Sequence, residues 1–231
     1  MFIGALQKTT LVDFPGKVAC IVFLVNCNFK CKFCYNKELT SYRFFKKSKR
    51  ELVDEKDFFS FLESKKKMLD GVVITGGEPT VSPGVHNFVK KIKSFGFAVK
   101  LDTNGTNPQV LKKLMGENLL DYVAMDVKAP FARYHEITQS KIPVENISES
   151  ISLLRASSVP HEFRTTLYPQ LTVKDLHEIA HLIPKEKWFL QDFQPKNALD
   201  VKSRKLKPMK YSEIKDFINE IKDNVKVVLR E

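Results

Sequence analysis

Cys27-Asn28-Phe29-Lys30-Cys31-Lys32-Phe33-Cys34 places three cysteines within eight residues, spaced C-x3-C-x2-C. The stretch before it, Val18-Ala19-Cys20-Ile21-Val22-Phe23-Leu24-Val25, is apolar and rich in β-branched residues, which predicts a buried strand. The thiols therefore leave the C-terminal end of a strand and enter a loop. Thiolates packed this closely hold soft metals, and zinc or an iron–sulfur cluster are the candidates. A closed site takes four protein ligands, whereas the local run supplies three. Cys20 precedes them inside the strand, where packing is its expected role. Three ligands leave one metal position open to a reactant.

The chain around this run has 231 residues, 43% of them hydrophobic, enough for one sizeable core and a single domain over residues 1–231. No apolar run reaches the roughly 18 residues a membrane helix needs. Met1-Phe2-Ile3-Gly4-Ala5-Leu6 lacks the basic start and long apolar centre of a signal peptide. Four cysteines in a chain of this length do not make a disulfide framework, so a reducing cytoplasm is the expected home. The net charge of +11 admits a nucleic-acid partner. The lysines, however, are spread over the predicted helices, as in Lys65-Lys66-Lys67 and Lys90-Lys91, so solvated surface is the expected reading and nucleic acid is not an expected partner. Two denser basic runs, 46–50 and 202–207, fall in predicted loops.

Along the chain, residues 7–17 read as a lead-in segment closed by Pro15-Gly16. After the cysteines a polar, basic loop runs to about residue 52. Asp54 caps a helix carrying Phe58, Phe61, Leu62, Met68 and Leu69, ended by Gly71. Val72-Val73-Ile74 is a strand running into Thr75-Gly76-Gly77-Glu78-Pro79, where two glycines let backbone approach a ligand closely. Ser82-Pro83 opens a helix ended by Gly96, and the strand 97–101 delivers Asp102-Thr103-Asn104-Gly105. A helix opens at Pro108, and the strand 122–125 ends in Asp126-Val127-Lys128. Residues 129–143 read as a connecting loop. A helix bearing Ile147, Ile151 and Leu154 follows, then the strand 161–167, in which Arg164 needs an anionic partner. Thr172 caps the next helix, and Trp188–Phe193 forms a strand leading to Gln194-Pro195. A helix through Ile214, Phe217 and Ile221 and a last strand at 225–229 close the chain.

The C-x3-C-x-Phe-C run after a first strand resembles the radical S-adenosylmethionine (SAM) superfamily. The resemblance implies that Cys27, Cys31 and Cys34 hold a [4Fe–4S] cluster and that Phe33 packs near the adenine of SAM. Gly76, Gly77, Glu78 and Pro79 match the motif that contacts the methionine amino group. Asp102-Thr103-Asn104 with Asp126 and Lys128 is similar to one branch, the activases of glycyl-radical enzymes. By that likeness Asp102, Thr103 and Asp126 help hold a monovalent cation beside the cofactor carboxylate, and Lys128 contacts the cofactor. Asn104 belongs to the same stretch, and Arg164 pairs with the cofactor carboxylate or a neighbouring acid. Within the branch, Phe163-Arg164-Thr165-Thr166, Leu190-Gln191-x-Phe193-x-Pro195 and Leu11-Val12-Asp13-Phe14-Pro15-Gly16-Lys17 look most like the activating proteins of anaerobic ribonucleoside-triphosphate reductases. Two departures stand out. Asn26 replaces the usual glycine before the first cysteine, at a position where positive φ is tolerated by Asn. Gln194 lies where some activases carry a histidine.

Strands alternating with helices predict an α/β fold with a parallel sheet. A full eight-stranded barrel usually takes about 250 residues. A partial TIM-type barrel of about six parallel βα units, with a C-terminal helix and strand, suits this chain and the family. All the flagged groups except Arg164 sit at or just beyond strand C-terminal ends, where barrel sites collect. The resemblance implies reductive cleavage of SAM to a 5′-deoxyadenosyl radical that removes a hydrogen atom from a glycine of a partner enzyme. The electron would come from a donor such as flavodoxin or ferredoxin. Two other classes stay open: a radical SAM enzyme acting on a small molecule or peptide, such as one forming a deazapurine, and a zinc-binding nucleic-acid module.

Overall fold

The computed structural model describes residues 1–230. Its frame is one eight-stranded sheet in sequential order, with no pairing between its first and last strands. β1 (Ile3–Thr10) runs antiparallel to β2 (Ala19–Leu24). α1 (Tyr42–Lys47) and α2 (Glu55–Ser64) then cross to β3 (Gly71–Gly76), which is parallel to β2. α3 (Val85–Ser94) leads to β4 (Ala98–Thr103), and α4 (Pro108–Gly116) to β5 (Tyr122–Asp126). α5 (Tyr134–Thr138) and α6 (Val144–Arg155) lead to β6 (His161–Thr166), and α7 (Val173–Leu182) to β7 (Lys187–Gln191). α8 (Tyr211–Ile221) and β8 (Lys226–Arg230) complete it. Six helical crossovers thus join the parallel strands β2 to β8, the partial barrel expected from the alternation of elements.

Side chains alternate across each strand, so the sheet has two different faces. Cys20, Val22, Leu24, Val72, Ile74, Val99, Leu101, Val123, Met125, Phe163, Trp188 and Leu190 point outward into the main core beneath the helices. There Phe58 of α2 stacks on Phe88 of α3 with ring centres 5.4 Å apart. The inner face is different. Its floor is a small apolar cluster of Ala19, Ile21, Val73 and Tyr122. Phe14, from the hairpin between β1 and β2, closes that floor and is 2% exposed. Above it the inner face turns polar and charged, and the site begins.

Several local expectations are corrected. The lead-in segment begins inside an edge strand, β1, which starts at Ile3 and whose register with β2 is set by tertiary pairing rather than by its own weak alternation. The polar loop before residue 52 contains α1, capped by the Ser41 side chain accepting from the N–H of Phe44. Asp54 does cap α2, but that helix stops at Ser64, Met68 is exposed, and Gly71 opens β3 instead of ending the helix. α3 begins at Val85, after Gly84 takes φ 83°, and not at Ser82. Residues 129–143 contain α5, with Tyr134 buried. Thr172 and Asp175 form the capping box of α7.

Truncating the Phe14 plug removes a fully packed ring from the barrel floor. Phe14→Ala should lower unfolding stability by about 3–5 kcal/mol. Leu11→Ala in the same hairpin removes a side chain that is 73% exposed. It should cost less than about 0.5 kcal/mol. Urea unfolding of both variants checks this, and equal losses would contradict a plugging role for Phe14.

Candidate functional site

A cavity of about 340 Å³ opens at the C-terminal ends of the parallel strands. Cys27, Cys31, Phe33 and Cys34 line it from the loop after β2, and Gly76, Gly77 and Glu78 from the end of β3. Asp102, Thr103 and Asn104 reach it from β4, Asp126 and Lys128 from β5, and Arg164 from within β6. Of the residues singled out in the sequence, Pro79 alone lies outside the lining; it is buried and starts a short 3-10 turn. Sequence reasoning missed Lys100, Tyr35 and Arg230, and gave no site role to Gln191 or Asp192.

The cysteine loop is held by the motif that follows β3. The N–H of Gly77 donates to the carbonyl of Leu24 at 2.8 Å, and that of Glu78 to the carbonyl of Asn26 at 2.7 Å. A Cβ on Gly77 would sit 2.0 Å from the Asn26 oxygen, and one on Gly76, where φ is 117°, would sit 2.4 Å from that of Leu24. The two glycines are therefore required by the approach of the chain's own backbone as it enters the cysteine loop, a role additional to the ligand approach expected of them. Asn26 takes φ 87°, the positive φ expected of it, and its side chain accepts from the N–H of Tyr42.

Glu78 is fully buried and acts as a staple. Its carboxylate accepts from the N–H and hydroxyl of Thr80, the hydroxyl of Thr103 at 2.7 Å and the N–H of Asn104 at 2.6 Å. Burial pushes this carboxyl upward, against those hydrogen bonds. Asn104 in turn donates to Asn28, which lies between the first two cysteines. From the other side, the Tyr35 hydroxyl donates to the Asp192 carbonyl and accepts from the N–H of Gln194 at 2.7 Å. The loop after β7 is thereby fastened to the cysteine loop. Phe33 packs on Tyr168 with ring centres 4.9 Å apart, and Lys128 lies over the Phe33 ring.

The charged groups of the inner face form one network. Arg164 donates through Nε to Asp126 at 2.9 Å and through Nη1 to Asp102 at 3.0 Å. Lys128 donates to Asp126 at 2.9 Å, and Lys100 to Asp102 at 2.5 Å. The acidic partners of Arg164 are thus neighbouring side chains. Burial alone would raise both carboxyls; the cations outweigh it and hold Asp126 at about 2 and Asp102 below the usual carboxylate range. Burial also pushes the Cys31 thiol up to about 12, with Lys128 pulling the other way, and raises Cys27 and Cys34. Metal ligation must therefore displace their protons.

The chain belongs to the radical SAM superfamily: the family profile of that description matches residues 21–183. A candidate glycyl-radical enzyme activating enzyme of Methanocaldococcus jannaschii is 33% identical, over 93% of this chain and 89% of its own. The 7-carboxy-7-deazaguanine synthase of Haemophilus influenzae is 29% identical, over 63% of this chain and 58% of its own. Among solved structures, a domain of pyruvate-formate lyase-activating enzyme from Bacteroides vulgatus superposes with a TM-score of 0.57 at 18% identity, covering 70% of this chain and 99% of that one.

Enzymes of this family use a [4Fe–4S] cluster and SAM, and the residues here fit that pair. Three thiols face one cavity, and Cys20 is turned away into the helix-side core. Among the described residues, no three His, Cys, Asp or Glu side chains close on a single-ion site. Beside the thiols, Phe33, Asn104, Lys128 and Arg164 offer an apolar face, an amide and cations for a ligand that carries an aromatic base and a carboxylate.

Arg164→Met should cost about 1–3 kcal/mol at pH 7, because it removes one cation from two half-buried carboxylates that keep Lys100 and Lys128. A depressed carboxyl stabilises the fold above its unfolded value of about 3.9 and loses that contribution as pH falls through its folded value. Without Arg164 both carboxyls titrate higher, so the deficit should shrink between pH 7 and about 4. Thermal unfolding across that range checks this; a deficit independent of pH would contradict it.

Proposed function

We propose that this protein is a glycyl-radical enzyme activase and that its partner is an anaerobic ribonucleoside-triphosphate reductase. The observation that carries the activase reading is the similarity to the M. jannaschii candidate activase along nearly all of both chains. The stretches at 11–17, 163–166 and 190–195 support the choice of reductase. The site is proposed to run in a reducing cytoplasm with flavodoxin or ferredoxin as electron donor.

In this reading Cys27, Cys31 and Cys34 ligate the cluster, Lys128 and Arg164 orient SAM, Phe33 flanks its adenine, and Gly76 to Pro79 brace the loop that carries the ligands. When bound, the cluster and SAM supply a 5′-deoxyadenosyl radical. The protein's own part is to fix the cavity walls and limit water. Phe33 is buried, Tyr35 ties down the loop above it, and the inner charges are paired. Access for a partner's glycine is proposed to run through the open side of the sheet. The first and last strands do not pair, and Arg230, Asp192 and Gln194 line the cavity near that gap. Amide and charged side chains at this rim suit a peptide backbone.

The similarity to 7-carboxy-7-deazaguanine synthase favours a second reading, a radical SAM enzyme whose substrate is a small molecule. The two separate cleanly. The reconstituted, reduced enzyme is mixed with SAM and the anaerobic reductase and examined by low-temperature EPR. An organic doublet on the reductase, absent with Cys31→Ala or without SAM, is the expected result. Release of 5′-deoxyadenosine with no radical on the reductase would reject that partner, and turnover of a small molecule without any protein partner would reject the activase.

A further inference from the structure

The four carboxylate oxygens of Asp102 and Asp126 each already accept from a cationic donor of the chain: Lys100, Arg164 through two nitrogens, and Lys128. Two carboxylates thus face three cations, a local balance of +1 before any ligand enters. The third residue expected to hold a monovalent cation, Thr103, is also engaged, since its hydroxyl donates to Glu78 and accepts from the N–H of Gly105. A metal cation entering here would have to displace an ammonium or guanidinium from its carboxylate. The residues do not fit the cation that the resemblance led us to expect.

Lys100 is the feature that makes the difference. It lies on the inner face of β4, two residues before Asp102, and its side chain is 3% exposed. It rises from the apolar floor beside the Tyr122 ring, 6.0 Å away, and ends on Asp102 at 2.5 Å. Among the described residues its ion-pair partner is Asp102, and Glu162 pairs with Tyr122 and Arg230. We propose that the ammonium of Lys100 is a built-in countercation of the SAM pocket, so that this enzyme binds SAM without a monovalent metal ion. The inference rests on the family's cofactor and not on the identity of the radical's final target.

The test measures SAM affinity of the reconstituted holoenzyme in sodium, potassium and N-methylglucamine buffers, with thallium(I) NMR of the same samples as a direct probe of a bound cation. For the wild type, affinities should agree within about twofold in the three buffers. No bound thallium signal should appear. Lys100→Met keeps the length of the side chain but removes its charge. It should weaken SAM binding in N-methylglucamine by about tenfold or more, with recovery in potassium and a bound thallium signal. Lys100→Arg should behave as the wild type. A wild-type enzyme that loses affinity without alkali cations, or that binds thallium displaceably by potassium, would overturn the proposal. So would a folded Lys100→Met protein indifferent to cations. The wild-type measurements decide the matter even if the methionine variant does not fold.

Discussion

The guanidinium of Arg164 is the constraint on which the inner face depends. It projects from the middle of β6 and binds carboxylates from β4 and β5 at once. In the ladder Asp126 is the registered partner of Arg164, so the ion pair lies directly across the strands. A one-residue slip of β6 would swing Arg164 to the helix side and bring Phe163 inward. Charges half-buried in this way cost desolvation energy, which good geometry on both carboxylates offsets. Filling the same space with apolar side chains could give an equally stable barrel, but one with no polar cavity at its mouth. The network is better understood as a device for shape and charge than as a source of stability.

Around that centre, the short stretches at the strand ends work as braces. Gly76 and Gly77 admit the backbone at Leu24 and Asn26, Glu78 pins Thr103 and Asn104, and Asn104 reaches Asn28 between the cysteines. Three successive strand ends are thus tied to one loop. The cysteines are positioned by bonds made to their neighbours. A substitution at Glu78 would therefore move the ligand loop even if Glu78 never touched a cofactor. Loss of cofactor in such a variant would report geometry first.

Much of this was legible in the chain. The parallel strands announce themselves as apolar runs because both faces are covered near their starts, and Gly96, Pro108 and Thr172 punctuate them as expected. The cysteine spacing and the strand-end rule pointed to residues that line one cavity. What could not be read follows from the inner face. Lys100 and Glu162 alternate with apolar neighbours as solvent-facing residues of a half-buried sheet do, yet both are buried. Only curvature of the sheet turns that side inward. β1 was hidden for a related reason: all of Ala5–Thr9 is partly or fully exposed, and pairing to β2 makes it a strand. Tyr134 looked like a loop residue because α5 is only five residues long, too short for a periodic pattern.

The central claim is that Cys27, Cys31 and Cys34 hold an iron–sulfur cluster with one iron left open to SAM. Mössbauer spectroscopy of protein reconstituted with iron-57 tests it most directly, by comparing spectra before and after SAM is added. The account predicts that a single iron site of the cluster changes its parameters on SAM binding while the others stay as they were, and that Cys31→Ala abolishes the cluster. A cluster whose irons all ignore SAM, or a protein that takes up zinc in place of iron at these thiols, would contradict it.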